Sequence, residues 1–200
     1  MASVFLLSPA NTSGIRANQL VSPRSKSDAA MLYRSDEGVP IADAFIYMSA
    51  LYFRGKIAYA RHFAAPENVF VIAPGFGLVR PDWRITVERM AVLRKTDVSV
   101  KDEGYVRTLR ETAASLADAL APDSEIVLLG SVASGKYVDV LQPVFGDRLR
   151  FPAVFAGLGD MSRGGLLLRA VRANRELEYT TLDAPRKRAP GGTGKIPDKW

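Results

Sequence analysis

Three short, nearly unbroken apolar runs stand out along the chain: Ser3–Leu7 (SVFLL), Val69–Ala73 (VFVIA) and Glu125–Leu129 (EIVLL). Each runs into a turn former, Ser8-Pro9, Pro74-Gly75 or Gly130, so each predicts a short strand buried on both faces. Between them the period becomes helical. Ile41, Ala44, Phe45, Met48, Leu51 and Tyr52 keep to one stripe, which predicts a helix over Ile41–Phe63. Gly55 is expected to break it, leaving a second helix from Lys56 to Phe63. Glu103–Leu120 is the clearest amphipathic helix, stopped by Ala121-Pro122-Asp123. Shorter helices are expected over Ala29–Tyr33, Val87–Arg94, Tyr137–Leu141 and Gly165–Glu176, and a last short strand over Phe151–Phe155. The rest of 11–40 reads as loop, and the rest of 78–103 shows no clear period. Buried strands alternating with helices imply an α/β fold, a single mixed sheet covered by helices. The pattern predicts one domain over 1–182 and a basic, disordered tail over 183–200, where Pro, Gly and Lys dominate.

Composition narrows the chemistry. The chain has no cysteine, which removes disulfides, thiolate nucleophiles and cysteine-held zinc together. His62 is the only histidine, so a histidine-based triad or a multi-histidine metal site is not expected. No cluster of carboxylates reads as a metal cage, and no metal or cofactor is implied. The apolar run at Val4–Leu7 has no basic residue before it and is too short for a signal peptide or a span. A cytoplasmic protein without membrane contact is the expectation. The net charge is +6, but five of the 27 basic and two of the 21 acidic side chains lie in 183–200. Half of the excess therefore belongs to the tail, and the folded part is only mildly basic.

Three stretches carry candidate chemistry. Gly130–Tyr137 (GSVASGKY) follows a strand with the spacing of a phosphate-cradling loop, whose glycines let backbone N–H groups converge on an anion while Lys136 adds charge. Tyr137 stands where such a loop needs Ser or Thr to hold magnesium, so the stretch reads as an anion loop or a tight strand-to-helix turn. Gly157–Gly165 (GLGDMSRGG) holds four glycines ahead of a helix; Asp160 or Ser162 can cap that helix, and Arg163 and Arg169 can fork onto a phosphate. Tyr52-Phe53-Arg54-Gly55-Lys56 interleaves rings and cations, as in phosphate-gripping, base-stacking surfaces, although rings at helical spacing also serve a core.

Taken in order, five segments resemble the YaaA family of peroxide-stress proteins. They are Leu7-Ser8-Pro9-Ala10-Asn11, Phe53-Arg54-Gly55 with Tyr59, Pro74–Asp82 (PGFGLVRPD), Ala133-Ser134-Gly135-Lys136-Tyr137, and Met161–Gly165 with Arg169. They span most of 5–175. The family's Lys after Ser-Pro-Ala is Asn11 here, and the chain is shorter than a typical member, so it is similar to the compact, uncharacterised branch. The resemblance implies a mixed α/β fold with a positively charged cleft, DNA binding and a link to stress response. Together the residues and the resemblance lead to the expectation of a nucleic-acid or nucleotide-like anion bound in a basic cleft. Ser8, Asn11, Arg54, Lys56, Arg80, Ser134, Lys136, Tyr137, Arg163 and Arg169 would line it. A metal-independent enzyme acting on a nucleoside, base or small anionic metabolite is the alternative, with Lys136, Tyr137, Asp160 or Arg163 as acid, base or anion clamp. A non-catalytic interaction protein is the third reading, and the oligomeric state stays open.

Overall fold

The element that organises the molecule is the most apolar one, Ser3–Leu7, which lies inside the sheet with parallel strands on both edges and helices on both faces. The computed structural model describes residues 3–181 except Ser134 and Ala156; the expected tail lies outside the described residues. The chain order is β1 (Ser3–Leu7), α1 (Ile15–Val21), α2 (Asp28–Tyr33), β2 (Val39–Pro40), α3 (Ile41–Ser49), α4 (Leu51–Phe63), β3 (Val69–Ala73), β4 (Gly77–Val79), β5 (Arg84–Ile85), α5 (Val87–Lys95), α6 (Glu103–Ala119), β6 (Glu125–Leu129), α7 (Val138–Phe145), β7 (Leu149–Pro152), α8 (Asp160–Arg172) and β8 (Tyr179–Thr180). The main sheet has the order β4-β3-β1-β6-β7-β8. Strands β3, β1, β6 and β7 are parallel, and the edges β4 and β8 are antiparallel to their neighbours. It is the mixed, helix-covered α/β sheet that the pattern predicts.

Strand alternation divides the core in two. Phe5, Leu7, Val71 and Leu129 point to the face covered by α1 to α5 and α8, whereas Val4, Leu6, Ile72 and Leu128 point to the face covered by α6 and α7. The connection after β1 therefore leaves over one face and the connection after β6 over the other. Among the described residues no helix is long and apolar enough to cross a membrane.

Four boundaries differ from the sequence reading. α1 was expected as loop; at seven residues it is too short to show a period, and it is held by burial of Ala17 and Leu20. The last strand is Leu149–Pro152, and Ala153–Phe155 forms a 3-10 turn instead of continuing it. The helix break falls at Ala50, not at Gly55. Ala50 has φ 45° and ψ −111°, a region that glycine adopts freely and that strains an alanine. We expect Ala50→Gly to raise the unfolding free energy by about 1 kcal/mol in urea denaturation, through relief of that strain. A loss of stability would instead show the methyl group to be required. Finally, α8 begins at Asp160 rather than Gly165, so its glycines lie inside the helix.

Gly55 and Gly164 explain both displaced helix boundaries. A Cβ on Gly55 would come 2.7 Å from Gly164 O, and one on Gly164 would come 2.8 Å from Leu51 O and from Tyr52 Cα. The two helices thus cross backbone against backbone, and only glycine fits at the contact. This crossing places Lys56, next to Gly55, and Arg163, next to Gly164, in the interior.

Candidate functional site

The sheet order reverses direction at β1: the chain runs from β1 outward to β3, then returns across β1 to β6. In open α/β sheets a crevice opens at the strand carboxyl ends at such a point, because neighbouring connections leave over opposite faces. A cleft of about 680 Å³ lies there, within the size range of small-molecule sites. Its floor is the segment after β1, Ser8 to Ser13, with Pro74 after β3 and Ser131 after β6. Met48, Ser49 and Tyr52 form one wall, Arg94 to Val98 a second, and Lys136, Tyr137 and Asp160 close the third.

Ser8 is fixed from several directions. Pro9 follows it and favours extended backbone at Ser8. Its N–H and its hydroxyl both donate to Leu129 O, at 3.3 and 3.2 Å. Gly130 packs so closely that an added Cβ would meet Ser8 Cβ at 2.9 Å. Outside the cleft lining, the buried Lys56 ammonium donates to Ser8 O at 2.6 Å and to Ser8 Oγ at 3.0 Å. Lys56 is 1% exposed and sits 4.3 Å from the Tyr52 ring centre and 4.9 Å from that of Phe53. No carboxylate pairs with it among the described residues. Burial pulls its pKa down to about 7; Asp160 pulls the other way, while Arg163 and Lys136 lower it further.

Around this pair lie two tyrosines. Burial pushes the Tyr52 phenol up to about 12, against the influence of Arg163. Its hydroxyl is buried and faces Arg163 without a hydrogen bond of ordinary geometry. Burial likewise raises Tyr137, whose hydroxyl faces the Ser8 side chain, so both rings stay neutral phenols near neutral pH. Arg163 is committed inward: its Nε and Nη2 donate to Phe155 O at 3.3 and 3.1 Å, and its Nη1 lies 3.5 Å from Asp160 Oδ1. It braces the start of α8 and holds Asp160 toward the cleft.

The residues picked from the sequence thus fall into groups. Ser8, Asn11, Lys136, Tyr137 and Asp160 line the cleft. Lys56 and Arg163 lie behind its lining, as supports. Arg54 and Arg169 are exposed outside it, on α4 and α8. Arg80 donates to the carbonyls of Pro66 and Glu67 and lies over the Phe70 ring, at the end of β4. Ser134 lies outside the described residues. At Gly135 a Cβ would be 2.5 Å from Asp139 Oδ2, so the Asp139 carboxylate lies against that side of the turn. The sequence reading missed the wall at Arg94–Val98. No periodicity marks this segment, and its place is set at long range, with Thr12 Oγ1 donating to Leu93 O at 3.4 Å. His62, at the far end of α4, hydrogen-bonds Asn174 Oδ1 at 2.8 Å, joining α4 to the end of α8.

No protein-family model, curated protein or solved structure matches the chain.

Proposed function

We propose that the cleft at the β1/β6 switch point binds a small nucleotide-like anion in a cytoplasmic, YaaA-like protein. The observation that carries this reading is the mixed lining. Arg94, Lys95 and Lys136 supply positive charge for a phosphate, while Asp97 and Asp160 offer acceptors for hydroxyl or amino groups of the same ligand. A polynucleotide backbone is less well matched. It calls for a continuous cationic track, whereas Arg80 is spent on carbonyls and Arg163 on Phe155 O and Asp160. Three of the five segments that resemble the YaaA family contribute to this cleft, through Ser8–Asn11, Pro74 and Lys136–Tyr137, and Asp160 lines it just before the fifth.

Titration calorimetry with nucleoside monophosphates at low salt tests the reading. One site per chain is expected, weakened at least tenfold by Lys136→Ala and only shallowly by added salt. If no monophosphate binds at millimolar concentration, the reading fails. If a duplex binds instead, with affinity falling by roughly 0.9 log per log salt for each of several phosphates, the ligand is nucleic acid.

A further inference from the structure

We propose that Ser8 and Lys56 form a nucleophile–base dyad that transfers the acyl group of a small carboxylic ester to Ser8 and then to water. Three geometric facts converge. Ser8 lies on the floor of the cleft, at the carboxyl end of a central strand. The Lys56 amine is 3.0 Å from its Oγ and, at 1% exposed, is not part of the cleft lining, so the base does not occupy the space open to a substrate. Lys56 has no carboxylate partner among the described residues, and the rings of Tyr52 and Phe53 shield it from water. A lysine serving only to tie down a strand end gains nothing from losing its hydration; a general base does, because desolvation favours the neutral amine. The contact at 2.6 Å to Ser8 O fixes the direction of the amine.

The hydrogen bonds can switch with charge. When Lys56 is an ammonium it donates to Oγ, and the hydroxyl proton goes to Leu129 O. When Lys56 is neutral, its lone pair accepts the hydroxyl proton instead. Ser8 Oγ then attacks the ester carbonyl carbon and its proton passes to Lys56. The developing oxyanion faces the Tyr137 phenol, which burial keeps protonated as a donor. The carbon–oxygen bond to the alcohol breaks, and the departing alkoxide takes a proton from a water molecule in the cleft. The hydroxide so formed attacks the acyl-Ser8 ester, the carboxylic acid leaves, and Ser8 Oγ takes its proton back from the Lys56 ammonium. Asp160 and Arg163 from α8, Lys136 before α7, and Tyr52 on α4 itself are the ionisable groups that set the balance of Lys56.

The proposal does not depend on nucleotide binding, and its test uses an uncharged probe. The full chain is treated with a fluorophosphonate, which forms a Ser–O–P bond as fluoride leaves, and the adduct is located by peptide mass spectrometry. One adduct per chain on Ser8 is expected. Its rate should rise about tenfold between pH 6 and pH 8 and then level off, following an amine that titrates at about 7. Lys56→Met should label at least a hundredfold more slowly while retaining the native circular dichroism, and Ser8→Ala should not label. Absence of a Ser8 adduct on folded wild-type protein at pH 8.5 overturns the proposal, as does labelling of Lys56→Met at the wild-type rate. Should Lys56→Met fail to fold, the wild-type profile decides: a rate that climbs with hydroxide and shows no plateau overturns it.

Discussion

Gly164→Ala should destabilise the protein by about 2 kcal/mol or more, while Gly165→Ala, one residue later in the same helix, should be neutral or stabilising. Propensity alone predicts the same result at both positions, a gain of up to about 1 kcal/mol for replacing glycine by alanine inside a helix. The crossing of α4 and α8 separates them. A methyl group at Gly164 would lie 2.8 Å from Leu51 O and Tyr52 Cα, which are backbone atoms of α4 and cannot turn aside. The helices must part, and overpacking of that kind costs roughly 1–3 kcal/mol beyond the lost propensity gain. At Gly165 the nearest atom is Arg169 Nη1 at 3.4 Å, the end of a flexible side chain. Gly55→Ala meets Gly164 O at 2.7 Å and should follow Gly164→Ala. Urea denaturation of the three variants measures the difference. Equal effects at 164 and 165 would mean that the helices do not cross at that distance. The same separation would shift Tyr52, Asp160 and Arg163, so the crossing also sets the shape of the cleft.

That crossing marks how far the sequence can be read. The three central strands were legible because each is buried on both faces and carries an apolar run that no helical period explains. α6 was legible because its outer face is polar along its whole length. Gly55 and Gly164 misled on boundaries, since glycine inside a helix reads as a break until the partner helix is seen pressed against it. Turn chemistry marked Ser8, Asn11, Lys136, Tyr137 and Asp160, because loops at strand and helix ends carry Pro and Gly, and all five line the cleft. From the sequence, Lys56 reads as a cleft-lining cation beside aromatic rings. It lies instead buried against Ser8, a position that depends on which face of α4 the later helix α8 covers. Arg94 and Lys95 reach the cleft through packing of α5 against the chain after β1, which no local pattern records.

The buried amine should also write itself into the stability of the whole fold. Its native pKa of about 7 lies below the ordinary value of 10.5, so the native state prefers the neutral form. Below pH 7 both native and unfolded chains carry the proton, and the penalty for burying the charge is fully present. Between pH 7 and 10.5 the unfolded chain keeps a proton that the native chain has released, so the unfolding free energy rises with pH. The slope approaches about 1.4 kcal/mol per pH unit from this group alone. Tyrosines with raised pKa values, including Tyr52 and Tyr137, contribute in the opposite sense above pH 10, when the unfolded chain ionises first. Comparison with Lys56→Met removes their contribution. Lys56→Met should be the more stable protein at pH 6, because an apolar side chain of similar length replaces a desolvated charge, and its advantage should shrink by roughly 3 kcal/mol between pH 7 and 9.5. Asp160→Asn should move the wild-type inflection to lower pH, since Asp160 is the group that holds the Lys56 pKa up. Urea midpoints at half-unit pH steps provide the measurement. Parallel curves for wild type and Lys56→Met would place the amine in contact with solvent, and Lys56 would then be an ordinary ammonium at neutral pH, with no lone pair to offer Ser8.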